Sequence, residues 1–197
     1  MQSVSIMIVG VGGQGTLLSS KLLGRVFADC GLDVKVSEVH GMSQRGGSVV
    51  TYVRAGERVY SPIICHGEAD YIIAFEKLEA ARYLPYLKVG GALIFNPQEI
   101  APMACLYGKV PYPSQAIEEN SREDIALHAI DALTMAISCG SAKAVNIVLL
   151  GYLAKQLYFI EKDAWERALA EVVSPKYLAL NQKAFELGYT YTSEVLD

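Results

Sequence analysis

No run in this 197-residue chain stays apolar for the ~18 positions that a bilayer crossing needs, so no membrane span is expected. A basic surplus is missing too. Lys and Arg number 17 against 21 Asp and Glu, a net charge of −4, and no cationic face offers itself to a phosphate backbone. Nucleic acid is therefore excluded as the main partner. Cysteine is sparse and scattered: Cys30, Cys65, Cys105 and Cys139 form no Cys-x-x-Cys pair, and His40, His66 and His128 are equally dispersed. Neither zinc nor an iron–sulfur cluster finds a local ligand set in that spacing, so no metal site is expected and the thiols read as reduced. Met1-Gln-Ser-Val-Ser enters a strand-like run without the basic n-region of a secretory signal, and a cytoplasmic location is expected.

What is present describes a filled core. Hydrophobic residues make up 52% of the chain and charged ones 19%, with no repeat, low-complexity tract or linker. Residues 1–197 read as one domain. Strands are expected at Val4–Val9, Val34–Val39, Ala69–Phe75, Val89–Asn96 and Ala126–Ile130. Helices are expected near 14–30, closed by Gly31, and at 77–87, 132–138, 142–157, 162–172 and 176–187. Ser48–Arg54 and Glu57–Tyr60, split by Ala55-Gly56, read as an antiparallel hairpin. Pro97 to Ser114 reads as irregular, with a short strand at Lys109–Tyr112. Strands alternating with helices imply an α/β fold: a doubly wound, mostly parallel open sheet, Rossmann-like, with an antiparallel hairpin and C-terminal helices.

Two loops carry the chemistry. The apolar run Ile6–Val9 ends in Gly10-Val-Gly-Gly-Gln-Gly15, and a helical pattern follows from Thr16. This strand, glycine turn and helix start is the context of a G-x-G-x-x-G fingerprint: glycine permits close backbone approach, and the free N–H groups favour an anion. Glu38, at the end of the second strand, stands where a dinucleotide binder keeps its ribose ligand. Against a nicotinamide enzyme stand the missing second domain and the missing acid–base constellation. The second loop is Glu38-Val-His-Gly-Met-Ser-Gln-Arg-Gly-Gly47. It should share a rim with the first, and its Ser43, Gln44 and Arg45 can bond phosphate or a carboxylate beside Gly46 and Gly47. A solvated turn is the plain alternative. Asn146, on an otherwise apolar helix, reads as a satisfied structural amide or as a member of the same rim.

These two loops resemble the γ-type domain of the 2-oxoacid:ferredoxin oxidoreductases. Ala144-Val-Asn-Ile-Val-Leu-Leu-Gly151 and the ending with Trp165, Asn181 and Lys183-Ala-Phe185-x-x-Gly188 are similar as well. The form His40-Gly-Met-Ser-Gln-Arg-Gly-Gly-Ser-Val49 resembles the separate subunit of the indolepyruvate branch. The resemblance implies decarboxylation of an aryl-pyruvate on thiamine diphosphate and Mg2+, electron transfer through iron–sulfur clusters to ferredoxin, and acyl transfer to coenzyme A. This chain has no Gly-Asp-Gly thiamine motif, so those cofactors are expected in a large partner subunit. No catalytic residue is expected here. Gly10, Gly12, Gly13, Gln14, Gly15, Ser43, Gln44, Arg45, Gly46 and Gly47 are the expected coenzyme A approach or partner interface. A free-standing nucleotide-binding regulator and a nicotinamide dehydrogenase remain the competing readings.

Overall fold

The computed structural model describes residues 3–39 and 47–192. Its sheet has six strands: β1 (Val4–Val11), β2 (Asp33–Val39), β3 (Ser48–Gly56), β4 (Ala69–Ala74), β5 (Leu87–Phe95) and β6 (Ala126–Ala129). Their order is β2-β3-β1-β4-β5-β6. The pairs β1–β4, β4–β5 and β5–β6 are parallel, while β3 runs antiparallel to both β1 and β2. β1 lies at the centre and is buried on both faces, which is why its sequence is a nearly continuous apolar run.

The expected hairpin is corrected here. Glu57–Tyr60 forms no strand; β3 continues to Gly56 and pairs with β2 instead, from Asp33↔Gly56 to Val39↔Val50. Val59 N–H bonds the Asp33 carboxylate at 2.8 Å, which ties that segment to the sheet edge. Lys109–Tyr112 is likewise not a strand.

Helix α1 (Thr16–Asp29) ends in a Schellman motif: Leu32 N–H reaches Phe27 O at 3.1 Å and Gly31 N–H reaches Ala28 O at 2.9 Å, with Gly31 at φ +75°. Helix α2 (Lys77–Tyr83) gives way to a 3-10 turn, Leu84–Tyr86, because Pro85 has no N–H to continue the ladder. A short helix, α3 (Met103–Leu106), lies in the stretch read as irregular, and another, α4 (Ala116–Asn120), follows just after it. Helices α5 (Ala132–Ser138), α6 (Val145–Gln156), α7 (Lys162–Val172) and α8 (Pro175–Thr190) complete the chain. One face of the sheet packs Ile6, Ile8, Ile73 and Ile94 against α1 and α5–α8. The other packs Met7, Val9, Ile72 and Leu93 against α2 and Ile117. Buried from Val145 to Ala154, α6 is the central helix of the first layer, hence its apolar sequence on all sides.

Candidate functional site

The glycine turn joins the end of β1 to the start of α1 at the carboxyl rim of the sheet. Gly15 occupies the N-cap of α1 at φ 90°, ψ 28°, a left-handed conformation that only glycine adopts without strain, and among the described residues no side chain caps the helix. Gln14 turns inward. Its Oε1 accepts from Val11 N–H at 2.7 Å and its Nε2 donates to Phe75 O at 3.2 Å, so one amide ties the end of β1 to the end of β4. Asn146, 2% exposed at the start of α6, donates to Gly15 O at 3.2 Å and accepts from Ile147 N–H at 2.9 Å. A Cβ on Gly15 would sit 2.6 Å from the Asn146 amide nitrogen, so this close approach also requires glycine.

These groups line a crevice of about 380 Å³ together with Leu18, Gln98, Ile100 and Lys143. It opens beside β1 and β4, where the sheet order reverses, the usual ligand position in an open α/β sheet. Lys143 is the only titratable side chain among its described lining residues. With the Gln14 and Asn146 amides committed to the backbone, the crevice offers the first N–H groups of α1, the Gln98 side chain, apolar contact and one ammonium, the groups of a binding or docking surface. Among its described lining residues no second titratable group stands beside Lys143 to form an acid–base pair.

Its far wall rests on a buried carboxylate. Glu76, 1% exposed and N-cap of α2, accepts from Glu79 N–H at 2.8 Å, Ile100 N–H at 2.9 Å and Tyr112 Oη–H at 2.5 Å. Burial, and then the Glu76 carboxylate, push the Tyr112 phenol far above its ordinary range, so it stays a donor. Glu79 is buried as well; burial raises its carboxyl, while Ser48 Oγ, which donates to it, and Arg82 work the other way. Asn96, wholly buried, donates to Phe75 O and Gln98 Oε1, both at 3.3 Å, and its own oxygen has no partner among the described residues.

Of the expected site residues, Gly10, Gly12, Gly13, Gln14 and Gly15 come together on this rim. Gly12 N–H bonds Gly47 O at 2.9 Å, so the second loop meets the first at Gly47. The cause is the antiparallel start of β3 against the end of β1, Val11↔Ser48. Ser43, Gln44, Arg45 and Gly46 lie outside the described residues. Glu76, Glu79, Tyr112, Gln98 and Lys143 were not anticipated; an acid directly after a buried strand was the available signal for Glu76. Glu38 accepts from Ser20 Oγ on α1 at 2.7 Å. Moreover, β3 separates β2 from β1, so Glu38 stands two strand spacings, roughly 9–10 Å, from the strand that ends in the glycine turn. A dinucleotide fold keeps its ribose acid on the adjacent strand, and that arrangement is absent.

Residues 5–191 match the family model described as pyruvate ferredoxin/flavodoxin oxidoreductase. The chain belongs to this family. It is 40% identical, over its full length and 99% of the relative, to the indolepyruvate oxidoreductase subunit IorB of Thermococcus kodakarensis. The IorB of Pyrococcus horikoshii is equally similar, at 40% over the whole of both chains. Among solved structures, the keto/oxoacid ferredoxin oxidoreductase gamma subunit of Geobacter sulfurreducens shares the fold with a TM-score of 0.71 at 24% identity, covering 94% of this chain and 96% of that one. The 2-oxoglutarate:ferredoxin oxidoreductase of Magnetococcus marinus, solved with 2-oxoglutarate, coenzyme A and succinyl-CoA, contains the same fold at TM-score 0.73 and 21% identity; 96% of this chain corresponds to 31% of that one.

Among the described residues, the donor set that an iron–sulfur cluster or a thiamine-bound metal needs is not gathered at any one place. Among the described residues no three His, Cys, Asp or Glu side chains gather as a metal site. Cys30 follows α1, Cys65 precedes β4, Cys105 lies in α3 and Cys139 follows α5, all as free thiols. No helix of the described residues is long and apolar enough to cross a membrane.

Proposed function

We propose that this chain is the accessory subunit of a thiamine-diphosphate-dependent oxidoreductase that converts indolepyruvate or a related aryl-pyruvate to acyl-CoA and CO2, with ferredoxin as electron acceptor. The observation that carries the reading is full-length identity of 40% to two proteins named as indolepyruvate oxidoreductase subunits. Thiamine diphosphate, Mg2+ and the clusters then belong to the large partner subunit. In this reading the chain is non-catalytic, and its rim of Gly10, Gly12–Gly15 and Gly47, with Ser43–Gly46 of the same loop, meets the partner and borders the approach of coenzyme A. A crevice with one ammonium and no acid–base pair supports a binding role over a chemical one. The same fold inside a chain solved with coenzyme A supports the choice of ligand.

Co-expression with the large-subunit gene is the test. Capture through this chain should bring down a much larger, brown, cluster-bearing partner, and Arg45→Ala should weaken that capture or raise KM for coenzyme A. A colourless protein that stays alone and binds NAD or FAD with micromolar affinity in calorimetry would refute the subunit reading.

A further inference from the structure

Between Pro97 and Ala116 no residue is buried, although the segment includes Met103, Leu106, Tyr107 and Val110, each more than half exposed. Twenty consecutive residues thus gain little from packing, and their attachment to the sheet must come from polar bonds. Those bonds converge. Gln98 O accepts from Lys77 N–H at 3.0 Å, while Ile100 N–H and Tyr112 Oη–H both end on the same oxygen of Glu76, although Ile100 and Tyr112 are twelve positions apart. A carboxylate so buried is costly unless its lone pairs are filled, and two of its three donors belong to this segment. Gln98 and Ile100 in turn form one wall of the crevice beside Gly13–Gly15.

We propose that Glu76 is the latch of a strap formed by residues 97–115, and that releasing the latch opens the crevice beside the glycine turn. Glu76 acts as a positioning residue: it touches no ligand and fixes the wall that does. The strap opens as a local unit while the sheet stays folded, because the bonds it loses are its own. This inference rests on the reading that the crevice borders the approach of coenzyme A.

Glu76→Ala also removes the cap of α2 and so confounds the latch with folding; Tyr112→Phe, which deletes one hydroxyl, is the primary variant. Loss of a hydrogen bond to a charged acceptor should raise the opening constant of the strap about 10- to 100-fold. Hydrogen exchange on the full chain should show that rise at the Ile100 amide, with β1 and β4 amides unchanged. In the complex reconstituted with the large subunit, KM for coenzyme A should rise several-fold at constant kcat. Unchanged exchange at Ile100, or an equal rise across the sheet, would overturn the latch. Faster strap exchange with unchanged KM would overturn the gating, and Ala142→Trp, which fills the crevice from its exposed edge, then separates the causes. If Ala142→Trp raises KM, the crevice reading survives without the latch; if it alters neither KM nor assembly, the crevice reading falls as well.

Discussion

Gly188→Ala should destabilise this protein although it improves helix propensity. A Cβ at Gly188 on α8 would lie 1.9 Å from Val148 O and 2.8 Å from its carbonyl carbon on α6. The facing glycine is equally tight, since a Cβ on Gly151 would meet Phe185 O at 2.2 Å. The obstacle is backbone on both helices, so no rotamer change relieves it, and α8 must recede by about 1 Å from a helix buried from Val145 to Ala154. Overpacking of this kind costs roughly 1–3 kcal/mol, and a rigid backbone obstacle puts it near the top of that range. Replacing a helical glycine with alanine returns about 1 kcal/mol, leaving a net loss of about 2 kcal/mol. For a chain of this length that lowers Tm by about 4–8 °C. Gly24→Ala is the matched control: its Cβ would meet only Val36 Cγ2, at 4.0 Å, so propensity acts alone and stability should rise by about 0.5–1 kcal/mol. Circular dichroism melts and urea midpoints of the two variants should move in opposite directions. Equal shifts, or a stabilised Gly188→Ala, would refute the close-packed α6–α8 contact.

Asn146→Ala should cost about 1–3 kcal/mol in urea denaturation, because Ile147 N–H loses its side-chain acceptor in a buried setting, while Gly15 O loses the Asn146 amide but keeps Ser19 N–H and Oγ–H. Gly15→Ala should also destabilise the chain, through left-handed strain and the contact with Asn146 together, and pairing it with Asn146→Ala should recover part of the loss in a double-mutant cycle. His128 gives a pH signature: burial lowers its imidazole below the ordinary value, so the unfolded chain takes up the proton first. Its contribution is complete above about pH 6.5 and is lost as pH falls from there toward the folded value. Urea midpoints at pH 7.5 and 5.5 should therefore differ less in His128→Phe than in the parent, and an equal difference would remove His128 as the cause.

The parts of the fold that were legible in the sequence have local causes. β1, β4, β5, α5 and α7 stand where apolar periodicity puts them, and Gly31 closes α1 as its position foretold. The hairpin failed because proximity in sequence favoured Glu57–Tyr60, whereas the partners of β3 are fixed by burial: Val53 and Ala55 must lie over the same core as Ile6. α3 and α4 were missed because helices of four and five residues carry no periodicity. At the site, the glycines were readable and the carboxylate was not. The partners of Glu76 lie 24 and 36 residues further on, a separation that only the folded chain reveals.

The glycine turn itself illustrates how one motif serves different ends. Its strand–turn–helix context was read correctly, but the residues that would make it a dinucleotide site are committed elsewhere. Gln14 spends both ends of its amide on the backbone of β1 and β4. Glu38 is bonded to Ser20 and held off by the intervening β3. Gly15 is required by Asn146 as much as by any ligand. Several residues that carried the family resemblance likewise prove to be packing devices: Gly151 and Gly188 let two helices touch, Trp165 stacks obliquely on Phe185 at 6.1 Å, and Asn181 bonds Tyr177 O at 2.8 Å. A family signature built from such residues identifies the scaffold. The proposed function rests on full-length identity to named subunits, and its placement at the rim rests on what this scaffold leaves exposed there, where the glycine turn, Lys143, Gln98 and Ile100 converge.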